Sequence, residues 1–184
     1  MNKPTTVHKF RAIAMARVFH HELGIMKPPI DAKKIVKCLA RLFYFSDFHE
    51  EGFTVYGPPL VNYRVYINKD SPDGRISWTY AHEIGHIKLR HLEVYDCNNL
   101  NAHERWILDR EANIFTSEFL MPKGLIKKYA CPPICQSKLG ELKNLFEVSW
   151  EALINRLDEL GIQAKDEIID LFENNNHNPW KPTF

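Results

Sequence analysis

His82-Glu83-Ile84-Gly85-His86 brings two imidazoles and a carboxylate together in one short segment. If that segment is helical, positions four apart lie roughly 40° apart around the axis, so both imidazoles leave one face toward a single point. Neutral imidazole nitrogen is a good ligand for Zn²⁺, and two of them supply half of a tetrahedral donor set. Glu83 stands where a carboxylate can take a proton from a water activated by the ion. This is the H-E-x-x-H logic of metal-assisted amide hydrolysis. The competing account is a surface helix carrying two solvated histidines and a glutamate, so the surroundings have to decide.

Trp78, Ala81, Ile84, Gly85 and Leu89 recur at helical spacing, which predicts that the motif rides on a half-buried helix. Asp70, Ser71 and Asp73 are candidate N-caps, and Pro72 suits the helix start. A glycine inside a helix costs about 1 kcal/mol against alanine, so Gly85 predicts that another backbone approaches closely there.

Around this helix the pattern reads as one domain over residues 1–162, with N-terminal helices within 8–40. The sheet and site helices fall within 41–122, and a closing helical pair within 136–162. Asp31 can cap the second of the first helices. Segments 42–45, 53–56 and 63–67 are short, aromatic and β-branched, bounded by Gly, Pro and Asn. They predict a three-stranded sheet in which Tyr63, Val65 and Ile67 share a face. A long helix is expected from about Ala102 to Leu120, a shorter one over 123–129, and a final pair over 139–146 and 149–160, with Ser149 as N-cap. The tail 163–184 is polar and reads as frayed, partly disordered chain.

Composition bounds the function. The 184 residues are 45% hydrophobic, which fits a folded core. Lys+Arg 24 against Asp+Glu 23 leaves a formal net charge of +1, no electrostatic footprint for direct nucleic-acid binding. No stretch reads as a secretory signal or a membrane span, so the expected compartment is the cytoplasm. Cys38, Cys97, Cys131 and Cys135 then read as reduced packing or incidental residues.

A catalytic zinc usually takes three protein ligands. His91 does not fit the longer three-histidine pattern, which requires histidine at position 92, where this chain has leucine. Tyr80, Tyr95, His91, His103 and Arg110 are near the motif in sequence, and each has an ordinary surface or core role as the preferred reading. The helix around residue 111 offers carboxylates. Leu108, Ala112, Phe115 and Phe119 form its apolar stripe, and Glu111 borders it. Asp109 lies on the other flank and could instead orient a ligand histidine. Glu104 and Glu118 share the angle of Glu111 almost two turns away. Angle alone does not choose among them.

Tyr80-Ala81-His82-Glu83-Ile84-Gly85-His86, followed by Glu111-Ala112-Asn113-Ile114-Phe115 and Leu120-Met121-Pro122, resembles the ImmA/IrrE family of metallopeptidases. The resemblance spans about residues 30–160. It implies an α+β fold, a small three-stranded sheet packed on a zincin-like helical core with a C-terminal helical pair. It implies Zn²⁺ as cofactor, His82, His86 and Glu111 as ligands, and Glu83 as catalytic base. It also implies a protein substrate, a helix-turn-helix transcriptional repressor of a phage or integrative element, cleaved to release gene expression. Two other classes remain in view: a non-catalytic zinc-binding regulator that acts by protein contact, and a DNA-binding regulator. The acidic Glu141, Glu147, Glu151, Asp158 and Glu159 of the closing pair argue against the last.

Overall fold

The computed structural model describes residues 3–46, 50–57, 62–71, 73–130 and 134–162. Three of its helices begin at an oxygen-bearing cap. Asp31 accepts from the Lys34 N–H at 2.8 Å at the start of α2 (Ala32–Leu39), which follows α1 (Lys9–Glu22). Asn101 and Glu104 form a reciprocal capping box at the start of the long α5 (Ala102–Leu120). Ser149 accepts from the Ala152 N–H ahead of α8 (Trp150–Glu159). Between them run α3 (Asp73–Lys88), the short α4 (His91–Val94), α6 (Lys123–Tyr129) and α7 (Gln136–Phe146). Pro72, Cys131 and the tail 163–184 lie outside the described residues.

Strands β1 (Arg41–Phe45), β2 (Gly52–Gly57) and β3 (Asn62–Asn68) form a mixed sheet in the order β1-β3-β2. β1 runs parallel to β3 and β2 antiparallel to it, with Phe53 opposite Tyr66 and Thr54 opposite Val65. The expected face of β3 is the covered one: Val65 and Ile67 are fully buried, with Tyr63 partly so. The other face carries an aromatic row, Phe43 and Phe53 both stacked on Tyr66.

One contiguous core joins the sheet to the helices through Ile84 and Ile87 of α3, Phe115 and Phe119 of α5 and Phe19 of α1. The closing pair is tied down from inside. Buried Arg156 on α8 donates its Nε–H to the Met121 carbonyl at 3.0 Å and pairs with the buried Glu118 carboxylate. That pairing gives the helical pair a structural role, in keeping with its acidic surface.

Candidate metal centre

Helices α3 and α5 cross at Gly85. A Cβ built there would lie 3.2 Å from the Ala112 carbonyl oxygen, 3.2 Å from Phe115 Cδ1 and 3.3 Å from Ala112 Cα. The glycine is therefore the contact point of two backbones, as its helix-breaking cost predicts. Because the axes meet this closely, side chains three residues before and one residue after the contact point face each other across a short gap.

On α3 those side chains are His82 and His86, and on α5 they are Asp109 and Asn113, again four residues apart on one face. The Nε2 atoms of His82 and His86 converge to 3.0 Å, and Asp109 Oδ1 stands 3.4 Å from His86 Nε2. His82, His86 and Asp109 each offer one donor atom, all within 4.8 Å of one another. Donors about 2.1 Å from a tetrahedral Zn²⁺ stand roughly 3.4 Å apart, so the two imidazoles and the carboxylate fit such an ion in chemistry and in spacing. His82 Nδ1 points away from this cluster, toward Asn113 Oδ1 at 3.0 Å. Burial pushes the His82 imidazole down to about 3, with the neighbouring His86 acting in the same direction. Metal binding needs that neutral form.

Glu83 is buried, and its Oε2 accepts from the Thr54 hydroxyl of β2 at 2.6 Å. Burial raises its carboxyl above the ordinary range, opposed by the charge of His86 and by the Thr54 hydrogen bond. Thr54 ties the sheet to the motif helix. Asp109 is held below the usual carboxylate range: partial burial pushes it up, but the hydrogen bond and charge of His86 outweigh that.

Glu111, which the resemblance implies as a ligand, does not join this cluster of donor atoms. At 100° per residue, Glu111 projects about 200° round the helix from Asp109, so the two carboxylates leave opposite flanks. The Glu111 flank faces α4 and the start of α1. Its Oε2 lies 3.1 Å from His91 Nε2, and its Oε1 accepts from the His8 backbone N–H at 2.7 Å. Burial pushes the Glu111 carboxyl up, but the bonds from His91 and His8 prevail and hold it at about 2. The carboxylate brought to the two motif histidines is that of Asp109. Asp109 and Asn113 stand four apart on α5 as His82 and His86 do on α3, a spacing that becomes informative only once the rotation of α5 against α3 is known.

His91 takes a core position, and one in contact with the motif. It is fully buried, and its Nδ1 lies 3.0 Å from His86 Nδ1. Arg90, in the left-handed region at φ 60°, turns the chain after α3 so that α4 brings His91 back under the motif helix. A left-handed arginine leaves no mark in the sequence comparable to a glycine. Tyr80 has a core role, buried with its hydroxyl on that of Tyr44 at 3.2 Å. His103 stacks on exposed Trp106. Among the described cysteines, Cys38, Cys97 and Cys135 are free thiols.

An H-E-x-x-H helix with a second helix bringing an acidic residue beside it is an arrangement of the metallopeptidase kind. Residues 40–158 match the profile of the IrrE N-terminal-like domain, a peptidase family, and the chain belongs to that family. Among solved structures, a Mycobacterium tuberculosis transcriptional regulator shares the fold, with a TM-score of 0.55 at 15% identity. The likeness covers 83% of this chain and 47% of that one, so the chain spans about half the regulator's length. No curated protein gives a significant match. No helix among the described residues is long and apolar enough to cross a membrane.

Proposed function

We propose that this protein is a zinc-dependent endopeptidase whose substrate is a transcriptional repressor of a phage or integrative element, cut to release gene expression. The observation that carries the reading is the convergence of His82, His86 and Asp109 on one point with the buried Glu83 alongside. In this reading His82, His86 and Asp109 hold the ion, and Asp109 takes the place that the resemblance gives to Glu111. A bound Zn²⁺ would supply Lewis acidity, making a water nucleophilic near neutral pH and polarising the scissile carbonyl.

The chain's own groups do the rest. Glu83 accepts the proton of the attacking water and delivers it to the leaving amine. The Thr54 hydroxyl, donating to Glu83 Oε2, holds that carboxylate in one orientation. Asn113 accepts from the His82 ring and keeps its Nε2 free as a donor atom. Strand β2 ends the sheet order, and an extended peptide pairing along it would run beside Thr54 and Glu83. A cut in a flexible segment follows from that mode of binding, since the peptide must be extended to pair.

The test is to incubate the zinc-loaded protein with the repressor encoded beside it, in parallel with Glu83→Gln. The reading predicts one discrete cut by the wild type and none by the variant, with zinc retained in both. Equal cutting by the variant would contradict the role of Glu83. If wild type and variant both bind and inactivate the repressor without cutting it, the second reading holds, a zinc-binding regulator acting by contact. The buried carboxylate beside the two histidines favours the enzyme, because zinc binding alone does not require it.

A further inference from the structure

We propose that His91 and Glu111 form a hydrogen-bond relay that fixes His86 in its metal-binding tautomer, making both positioning residues of the centre. The inference rests on the reading of His82 and His86 as metal ligands and goes beyond it.

The argument is one of proton placement. His86 presents Nε2 to the donor cluster, 3.0 Å from His82 Nε2 and 3.4 Å from Asp109 Oδ1. A nitrogen that binds a metal must carry a lone pair, so the ring proton of His86 sits on Nδ1. That Nδ1 lies 3.0 Å from His91 Nδ1. Two N–H groups cannot face each other at this distance, so His91 Nδ1 is the acceptor. A neutral His91 must then carry its own proton on Nε2. His91 Nε2 lies 3.1 Å from Glu111 Oε2, and a carboxylate only accepts. Every proton in the chain from His86 to Glu111 is thereby assigned, and each assignment needs the next.

Both oxygens of Glu111 are in use. Oε1 accepts the His8 backbone N–H at 2.7 Å and lies 2.9 Å from His8 Nδ1, while Arg11 Nη1 stands 3.9 Å from Oε2. A carboxylate can serve His8 and His91 together. An amide, with one acceptor oxygen and one donor nitrogen, cannot. In Glu111→Gln the amide either leaves the His8 backbone N–H without its acceptor or presents N–H₂ to His91. The second choice flips the His91 tautomer, places a donor against His86 Nδ1–H and moves the His86 proton to Nε2, where it opposes the metal. His82 needs no such relay, because Asn113 accepts from it directly. The relay also places the start of α1 within two hydrogen-bonded residues of the metal centre.

The experiment is a zinc titration against a chromophoric chelator for wild type, Glu111→Gln and His82→Ala. It is paired with ¹⁵N-detected imidazole spectra of the zinc-loaded wild type. Outer partners of ligand histidines are typically worth about 10–100-fold in metal affinity. Glu111→Gln is therefore expected to bind Zn²⁺ about 10–100-fold more weakly with its helical circular dichroism retained. The wild-type spectra are expected to show His86 protonated on Nδ1 and His91 on Nε2. Unchanged zinc affinity in a folded Glu111→Gln would overturn the relay. His91 protonated on Nδ1 in the wild type would also overturn it, even if the variant does not fold. Unchanged affinity in His82→Ala would instead sink the metal assignment on which the relay rests.

Discussion

Gly85→Ala sets two opposed effects against each other at the helix crossing. In an isolated helix the change would stabilise by about 1 kcal/mol, because alanine loses less backbone entropy. At the crossing the new methyl would meet the Ala112 carbonyl oxygen and Phe115 Cδ1 at 3.2 Å and Ala112 Cα at 3.3 Å. Optimal carbon contacts lie near 3.5–4.0 Å, so α3 and α5 must separate by roughly 0.2–0.8 Å. Neither neighbour can yield easily: one is helix backbone, and Phe115 is fully buried. Overpacking of this kind costs about 1–3 kcal/mol, which leaves a net loss of roughly 0–2 kcal/mol. For a chain of this size that lowers Tm by about 2–4 °C per kcal/mol. The separation also acts on the donor set, since His82 and His86 ride on α3 and Asp109 and Asn113 on α5. Chemical denaturation of the metal-free protein and a zinc titration together read both effects. A variant stabilised by about 1 kcal/mol, with undiminished zinc affinity, would refute the argument from close approach.

Arg156→Leu removes the partner of the buried Glu118 carboxylate and a donor to the Met121 carbonyl. Arg17 remains 2.7 Å from Glu118, so denaturation should show a loss near the low end of the buried-pair range, about 3 kcal/mol; under 1 kcal/mol would contradict it. Asn101→Ala abolishes the α5 capping box and should cost about 1 kcal/mol in the same assay, with no effect on zinc binding. Thr54→Val deletes the donor to Glu83 at nearly constant shape. Turnover on a cleaved repressor should fall about ten-fold, a hydrogen-bond loss of roughly 1.5 kcal/mol, while zinc affinity stays unchanged. His20 supplies a pH prediction. Burial lowers its imidazole pKa from 6.5, opposed by the Ile25 backbone and by Glu118. Below pH 6.5 the unfolded chain therefore takes up a proton that the folded one resists. Stability should fall with pH by up to about 1.4 kcal/mol per unit from this group, and His20→Leu should remove that share of the slope.

Much of the architecture was legible in the sequence because it depends on local chemistry. Asp31 and Ser149 carry side-chain oxygens at helix starts, and the helices begin there. The alternation in β3 reports one covered face, and Gly85 reports one close crossing. The motif histidines were legible for the same reason, since their spacing is set by a single helix. The third donor was not, because it depends on how α5 is rotated against α3. Asp109 and Glu111 differ by about 200° on one helix, and the apolar stripe between them does not say which flank meets the histidines. His91 was hidden for a related reason: a left-handed turn at Arg90 carries it back beneath α3.

Anomalous diffraction at the zinc edge, from crystals of the protein grown with Zn²⁺, tests the central claim most directly. The account predicts one strong peak bounded by His82 Nε2, His86 Nε2 and the Asp109 carboxylate, with Glu111 turned to His91 and His8. A peak held by Glu111 in place of Asp109, or no peak at the two motif histidines, would contradict it.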